Sequence, residues 1–440
     1  MNTPRIAFAA ALAALLTAPG AWSVEDAAPG PAQLTLDDLR TFADAFNQIR
    51  QNYVEPVDDR TLLNAAIEGM LLELDPHSAF LQPDAFRDLD NESRGRYGGI
   101  GVEVRFIEGR IEVIAAVDGG PAQAAGMQTG DFITAVNGDR VDRNRPQSSM
   151  EALQGEPGTD VLVEYRRPGE GTREVTLTRA FVPLPTVAAG LLDEHYGYLR
   201  VSQFHRGSAE EFEREFGKLV DEHGAPLQGV ILDLRNNPGG VLTPAVEIAD
   251  GFLDDGLIVY TEGRHESAQL EFNAHPGDWA EGAPMVVLVD RGSASASEVL
   301  AGALQDHGRA LVVGDRTFGK GSVQSVLTMR NGSALKLTTS RYFTPAGRSI
   351  QAEGIEPDVE IPALEVKASE SRRGRREADL PRRLDNPNGA AAARVSDVNP
   401  EEDYALYHAL SLLKGARAFG QSRPAPAELQ ARRAEESAED

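Results

Sequence analysis

The sequence predicts an α/β domain that carries a β-rich insert and is flanked by helical segments. Between residues 186 and 360, continuous apolar runs such as 229–234 and 285–289 alternate with stretches of helical apolar spacing. This alternation is typical of buried strands covered by helices. Between residues 97 and 179, by contrast, short β-type runs are separated by glycine turns, which predicts a separate β-rich domain.

Both ends of the chain are predicted to be helical. Apolar residues recur at helical spacing from Leu34 to about Asp90 and again from Glu401 to Phe419. These patterns divide the chain into a signal peptide, an N-terminal helical region, the β-rich domain, the α/β core, and a linker with a C-terminal helical region. Their predicted bounds are 1–23, 24–96, 97–182, 183–365 and 366–440.

The signal peptide is predicted from the N-terminal residues. Arg5 precedes an apolar run at 6–16 that is too short to cross a bilayer, and Ala21 and Ser23 place small residues at the spacing that a signal peptidase requires. An uncleaved N-terminal anchor is the alternative. We expect an exported protein, periplasmic in a Gram-negative-like cell envelope or associated with its membrane.

Composition excludes several classes of function. The formal net charge is -25, from 68 acidic and 43 basic residues, which argues against a nucleic-acid partner. The chain has no cysteine, which excludes zinc–thiolate sites, disulfides and a cysteine nucleophile. No sequence motif indicates a metal site or a cofactor.

Two short segments carry the chemistry. A serine cluster at 292–298 follows the apolar run 285–289, and Lys320 lies between two glycines after a second run at 311–313. A serine at the end of a buried strand, where a helix opens, can act as a nucleophile, and a lysine can act as its base. If Ser295 and Lys320 meet, the pair predicts a hydrolase that needs no histidine.

Neighbouring residues supply the other groups that acyl transfer needs. The amide of Ala296, in the first turn of a helix, can donate to a developing oxyanion. Lys320 must lose its proton to act as a base, and burial without a carboxylate partner lowers the pKa of a lysine. Gln324, four residues further on, can hold the neutral amine by a hydrogen bond.

Two alternatives compete with this interpretation. Ser293, Ser295 and Ser297 can be helix caps or packing residues, with Lys320 a surface charge in a turn. Residues 314–320 also match the G-x-x-x-x-G-K pattern of a phosphate-binding loop. That pattern requires Ser or Thr at the next position, where this chain has Gly321. It also requires a helix directly after the loop, where the sequence at 323–327 is β-like.

Several motifs together resemble the carboxyl-terminal processing (tail-specific) proteases. The resemblance implies a ClpP/crotonase-like core in which Ser295 is the nucleophile, Lys320 its base and Gln324 an assisting residue. It also implies an oxyanion hole formed by the amide of Ala296 and that of a glycine, for which Gly239 and Gly240 fit equally. The motifs that carry the resemblance are 74–78, 233–240, 292–298, 318–324 and 340–351.

The β-rich domain resembles a PDZ domain. The resemblance rests on the stretch 120–138 and on a glycine loop that leads into a strand. Backbone amides of such a loop can bind a terminal carboxylate, and the strand edge can pair with an extended peptide. The candidate peptide-binding residues are Tyr97, Gly98, Gly99, Ile100, Gly101 and Val102.

These features together predict an exported serine endopeptidase that binds protein substrates by their C-terminal tails. It would cleave them through an acyl-enzyme on Ser295. The alternative is a periplasmic PDZ scaffold whose hydrolase core is inert. The apolar surface of the helical ends, together with the resemblance, predicts a homo-oligomer interface or a site for an adaptor protein.

Overall fold

A computed structural model describes residues 34–107, 110–117, 119–142, 146–361 and 403–421. The predicted signal peptide, the linker at 366–400 and the residues after 421 lie outside the described residues. No helix in the described ranges combines the length and the apolar character that a membrane span needs.

The chain divides into two compact units after Ile67. The first unit holds α1 (Leu36–Asn52) and most of α2 (Asp59–Leu72). Helix α1 starts at a capping box, in which the Asp38 amide donates to Thr35 Oγ1 (3.2 Å) and the Thr35 amide donates to the Asp38 carboxylate (2.8 Å). No residue of α1 is buried, although its sequence carries a regular apolar stripe.

The second unit begins with a short lead-in and continues into the β-rich domain. The lead-in holds β1 (Ala79–Leu81), α3 (Pro83–Ser93) and β2 (Arg96–Gly99). The elements of the β-rich domain are β3 (Val102–Ile107), β4 (Arg110–Ala116), α4 (Pro121–Ala124), β5 (Phe132–Val136), β6 (Asp139–Arg140), α5 (Pro146–Leu153), β7 (Asp160–Arg167), β8 (Gly171–Thr178) and β9 (Ala180–Pro183).

The β-rich domain is built on one antiparallel sheet with the strand order β3-β4-β5-β7-β8, and β6 pairs with β5. Alternate residues of its strands, such as Ile111, Val113 and Val163, are buried in a core of their own. Strand β3 lies at the edge of this sheet. Strands β2 and β9 pair with each other, so the chain enters and leaves the domain along one ladder.

The remaining elements form the α/β core and its C-terminal helix. They are β10 (Val187–Leu192), β11 (Tyr196–Val201), α6 (Ser208–His223), β12 (Gly229–Asp233), α7 (Leu242–Asp250), β13 (Leu257–Gly263), β14 (Glu271–Asn273), β15 (Met285–Val289), α8 (Ala296–Asp306), β16 (Leu311–Gly314), β17 (Ser322–Thr328), β18 (Ala334–Phe343), β19 (Val359–Glu360) and α9 (Tyr404–Gln421). The main sheet has the order β10-β11-β12-β15-β16-β19, and every pair from β11 to β19 is parallel.

Helices cover both faces of this sheet, which explains why its strands are continuously apolar. Val230 and Leu232 belong to the core cluster that includes residues of α6, α7 and α8. Ile231, between them, points to the opposite face, where it clusters with Leu406 and Leu410 of α9. The period of two along a strand thus gives alternate residues to different helices. Helix α9 is a layer of the core, in which Leu406, Leu410 and Leu413 are buried and Tyr407 is exposed.

A second sheet packs beside the first. Its order is β1-β18-β13-β14, with β17 also paired to β18. The dipeptide Asn331–Gly332, which is a strong hairpin signal in the sequence, lies between β17 and β18; these strands pair in antiparallel register, and Gly332 has φ +84°. Helix α2 ends at Leu72. The turn that follows is held by Asp75, whose carboxylate accepts the amides of His77 and Ser78.

Candidate active site

Three loops meet at the carboxyl edge of the main sheet. They follow β12, β15 and β16, which are parallel neighbours, so their carboxyl ends lie at the same edge. The first loop carries Gly239 and Gly240, the second carries Ser295, and the third carries Lys320. The predicted catalytic segments are therefore brought together by strand order, although they are far apart in sequence.

Ser295 differs from the two serines that flank it. Ser293 Oγ donates to the carbonyl of Leu234 at 2.8 Å, and Ser297 Oγ donates to the carbonyl of Asn237 at 3.0 Å. Both therefore serve as buried packing residues, as the alternative interpretation proposed for all three. Ser295 precedes α8 with φ +57°, a strained value for a residue with a side chain, and it is 7% exposed.

The side chain of Ser295 lies near the hydroxyl of Tyr342 on β18. Burial raises the pKa of the Tyr342 hydroxyl to about 12, and the neighbouring Ser295 side chain partly offsets that rise. Tyr342 therefore stays protonated at neutral pH. Tyr342 belongs to the motif 340–351, which by itself indicated no role for this residue.

Glu298 joins the serine turn to the lysine loop. Its carboxylate is fully buried in the first turn of α8 and accepts four hydrogen bonds. One oxygen accepts Thr317 Oγ1 and the Gly319 amide, at 2.6 and 2.7 Å. The other accepts the amides of Ser295 and Lys320, at 2.7 and 2.9 Å. In the sequence Glu298 is only the last residue of the segment 292–298, because three of its donors lie 19–22 positions away.

Lys320 lies half-buried in a loop opened by Gly319, whose φ is +90°. Burial lowers the pKa of Lys320, the positive charge of Lys336 lowers it further, and the Glu298 carboxylate opposes both effects. Within the described ranges no group accepts a hydrogen bond from Lys320 Nζ. No hydrogen bond joins the side chains of Lys320 and Ser295 there. The loop continues into β17, so the helix that a phosphate-binding loop requires is not formed here.

Gln324 is anchored away from the lysine. Its Nε2 donates to Ser322 Oγ at 3.0 Å and to Thr338 Oγ1 at 3.3 Å. The Thr338 amide donates to Ser78 Oγ, and Ser78 Oγ donates to Asp75 at 2.7 Å. The motif at 74–78 therefore supports β18, the strand whose Thr338 bonds to Gln324. The position of the motif after a helix did not indicate this role.

The two candidate oxyanion glycines differ in what their amides do. The Gly239 amide donates to Asn237 Oδ1 at 2.9 Å, whereas none of the described groups accepts the amide of Gly240. Gly239 packs against Ser295, because a Cβ added there would lie 2.8 Å from the Cβ of Ser295. The Ala296 amide, like that of Gly240, has no acceptor among the described residues. The geometry thus favours the amides of Gly240 and Ala296 as donors to an oxyanion. Gly239, which has no side chain, allows its loop to approach Ser295 closely.

The predicted peptide-binding loop spans β2, a turn and the start of β3. Tyr97, Gly98 and Gly99 pair with β9, and burial raises the pKa of the Tyr97 hydroxyl. Ile100 is buried in the core of the β-rich domain, so its side chain is structural. The amides of Ile100 and Gly101 have no described acceptor, and Gly101 has φ +74°. Val102, half-buried, begins the edge strand β3.

Comparison with known proteins agrees with this architecture. The peptidase family S41 model matches residues 195–361, the PDZ domain model matches 98–178, and the model of the activating protease CtpB N-terminal domain matches 21–85. Together these matches describe a serine-type peptidase with a PDZ domain.

Similar proteins cover most of the chain. A carboxy-terminal-processing protease from Bartonella bacilliformis is 35% identical over 398 residues, which is 87% of this chain and 90% of that protein. A carboxyl-terminal-processing protease from Synechocystis is 38% identical, covering 72% of this chain and 75% of its own. A solved photosystem II D1 C-terminal processing protease is 32% identical, covers 74% of this chain and 94% of its own, and has a TM-score of 0.45. The chain belongs to the carboxyl-terminal-processing protease family.

The bonding of Glu298 predicts the effect of Glu298→Gln. The amide has one acceptor oxygen, so its NH2 group would face two of the four donors, and about two charge-assisted hydrogen bonds of roughly 1.5–3 kcal/mol each would be lost. We expect proteolytic activity to fall by at least about a hundredfold, because misplaced catalytic groups lose their alignment. Peptide cleavage rates and a urea denaturation curve measure the two effects.

The matched control is Glu213→Gln on the exposed face of α6. It makes the same chemical change in a helix, at a side chain that is exposed. It should change neither activity nor stability. Wild-type activity in the Glu298→Gln protein would show that the carboxylate does not position the two loops.

Proposed function

We propose that this protease is an exported endopeptidase that binds substrates by their C-terminal tails and cleaves them with a Ser295–Lys320 dyad. The observation that carries the dyad is the buried carboxylate of Glu298, which accepts the amides of both residues at 2.7 and 2.9 Å. One rigid group thereby fixes the nucleophile turn and the lysine loop at the same edge of the sheet.

The proposed cycle uses groups of this chain alone. Neutral Lys320 takes the proton of Ser295 as Oγ attacks the scissile carbonyl, and the amides of Ala296 and Gly240 bind the oxyanion. Lysine then gives the proton to the leaving amine, which departs and leaves an acyl-enzyme on Ser295. Lys320 then deprotonates a water that attacks the ester carbonyl, and as the Oγ–acyl bond breaks and the carboxylic acid product leaves, Lys320 returns the proton to Ser295 Oγ and restores the free hydroxyl.

Ser295 must leave Tyr342 to enter this cycle. Rotation about one side-chain bond redirects its hydroxyl, and catalytic hydrogen bonds often form only in the complex with substrate. We propose that the contact with Tyr342 is a resting arrangement, and that Gln324 reaches Lys320 when substrate is bound. If Tyr342→Phe does not raise the rate of Ser295 labelling by a fluorophosphonate, Tyr342 has no restraining role.

Tail recognition is proposed for the loop between β2 and β3. The unpaired amides of Ile100 and Gly101 provide donors for a terminal carboxylate, and the edge of β3 can accept an extended peptide. Binding there raises the local concentration of the attached substrate near the catalytic loops.

Export and assembly are also proposals. Export rests on the signal-peptide pattern, and a mature N-terminus that still contains Met1 would contradict cleavage. Exposed apolar residues of α1, including Leu36, Leu39 and Phe42, favour a second copy as the partner, with an adaptor as the alternative. A purely monomeric species in sedimentation would remove the homo-oligomer. The ClpP/crotonase-like class of the core stays a prediction.

The dyad predicts that Ser295→Ala and Lys320→Ala will each fold and lose cleavage. We expect rates below about one-thousandth of wild type, because the two residues act as a unit. Cleavage of a tail-bearing protein, followed by gel electrophoresis, measures the loss. The exposed-site variants Ser411→Ala and Lys218→Ala are controls and should remain active. Full activity in either dyad variant would refute the proposal, and an inactive wild type would favour the inert scaffold.

The charge of Lys336 predicts a shift in the pH profile. Only neutral Lys320 can act as a base, so the rate should rise with pH through a lysine pKa lowered from 10.5. Lys336→Met removes a nearby like charge, so the pKa of Lys320 should rise and the midpoint should move to higher pH. Burial and the positive charge of Lys320 lower the pKa of the nearby His77 below its ordinary value of 6.5.

Single-turnover cleavage rates measured from pH 6 to about 10 give this midpoint, because that range extends close to the ordinary pKa of a lysine. The control is Lys218→Met on α6, whose charge pairs with Glu215 and not with the active site. A midpoint that stays fixed or moves to lower pH would exclude an electrostatic contribution from Lys336.

Tail capture predicts that a free terminal carboxylate is required. A peptide substrate with a C-terminal amide should have a kcat/KM at least about tenfold lower than the same peptide with a free carboxylate, since charge-assisted hydrogen bonds are worth about 1.5–3 kcal/mol. The Gly101→Ala variant should lose most of this discrimination, because φ +74° strains any residue with a side chain. Equal kcat/KM values for the two peptides in wild type would contradict recognition by the carboxylate.

A further inference from the structure

A chelated guanidinium connects the C-terminal helix to the oxyanion loop. Arg235 Nη1 and Nη2 donate to the two carboxylate oxygens of Asp403, at 2.9 and 2.7 Å. The same guanidinium donates through Nε and Nη2 to Asp233, at 2.9 and 2.6 Å. Asp233 is fully buried at the end of β12, whereas Asp403 lies 168 positions away and precedes α9. Bidentate pairs of this kind fix position as well as charge.

Asp403 also begins the helix to which it belongs. Its Oδ1 accepts the amide of Leu406 at 3.0 Å, which caps the first turn of α9. Burial alone would raise the pKa of Asp403, but the hydrogen bonds from Arg235 outweigh it and the pKa is lowered. The carboxylate is therefore charged at neutral pH.

The residues that follow Arg235 form the oxyanion loop and are strained. Asn236 has φ +55°, a conformation that costs a residue with a side chain of order 1–3 kcal/mol. The fully buried Asn237 accepts the Gly239 amide through Oδ1 and donates to the carbonyl of Val201. Its own carbonyl accepts the amide of Ala294, next to the nucleophile, at 2.9 Å. The position of Arg235 thus determines where this chain of contacts begins.

We propose that Asp403 is a positioning residue for catalysis, which holds Arg235 so that the oxyanion loop keeps its strained conformation. Docking of α9 is thereby coupled to the oxyanion hole and not only to the stability of the sheet. This inference rests on the proposed function, because an oxyanion hole matters only for acyl transfer.

The experiment compares two neutral variants at position 403 with a matched change elsewhere on α9. Asp403→Asn and Asp403→Ser keep a side chain that caps helices well but remove the charge that binds Arg235. Lys414→Gln breaks the ion pair that Lys414 forms with Asp193, further along the same helix. For each protein one measures kcat and KM on a tail-bearing peptide, affinity for a peptide boronate and the melting temperature. Hydrogen exchange is followed at residues 235–241.

In the Asp403 variants kcat should fall at least about tenfold, since small displacements of catalytic groups are costly. The boronate, whose adduct with Ser295 occupies the oxyanion hole, should lose affinity by a similar factor. KM should stay within about twofold, exchange at 235–241 should quicken, and Asp403→Glu should recover part of kcat. Lys414→Gln should lower the melting temperature without lowering kcat.

Two outcomes would overturn the inference. In one, both neutral Asp403 variants keep the wild-type kcat and boronate affinity. In the other, Lys414→Gln lowers kcat as much as they do, so that α9 acts only through stability. Failure of the proposed function is distinguishable, because it would appear as retained cleavage in Ser295→Ala, whatever the Asp403 variants do.

Discussion

The buried carboxylate of Glu298 is the interaction on which the catalytic arrangement depends. A buried carboxylate without partners costs several kcal/mol, so this side chain is stable only when all its donors are in place. The donors come from the serine turn and from the lysine loop, at 2.6–2.9 Å. Its place in the first turn of α8, where negative charge is favoured, adds to the stability. Neither loop can therefore take its position without the other.

Strain at the site and the anchors around it are of similar size. Ser295 and Asn236 both have positive φ, and each such residue costs of order 1–3 kcal/mol. A hydrogen bond to a charged group contributes roughly 1.5–3 kcal/mol, so the bonds of Glu298 offset the strain of the serine turn. Asn237 likewise anchors the oxyanion loop by hydrogen bonds, although the groups that it bonds are neutral. The parallel sheet supplies the rigid frame that these anchors require.

The features that could be predicted from sequence are those encoded locally. The alternation of strands and helices, the hairpin at Asn331–Gly332 and the serine and lysine segments all depend on residues within a few positions of each other. Strand order then brings the segments together at one edge, and parallel α/β sheets commonly place their sites at that edge.

The parts that could not be predicted depend on distant partners. Three of the four donors to Glu298 lie 19–22 positions away, and Asp403, a partner of Arg235, lies 168 positions away. The choice between Gly239 and Gly240 depends on the side chain of Asn237, which occupies one amide and leaves the other free. The apolar stripe of α9 indicated a helix and suggested an interface with a second copy or an adaptor, whereas Leu406, Leu410 and Leu413 pack on the main sheet of the same chain.

The two halves of the site are held by interactions of unequal strength. Glu298 is fully buried, so solvent and salt do not weaken its bonds, whereas the side chain of Asp403 is 35% exposed. Ion pairs that water reaches are screened at physiological ionic strength, and buried ones much less so. The serine turn and the lysine loop therefore form the more rigid half of the site. The oxyanion loop forms the half whose anchoring depends on ionic strength. In the proposed cycle that loop binds charge that develops only during the reaction, so changes in its anchoring would act on the rate of chemistry more than on substrate binding.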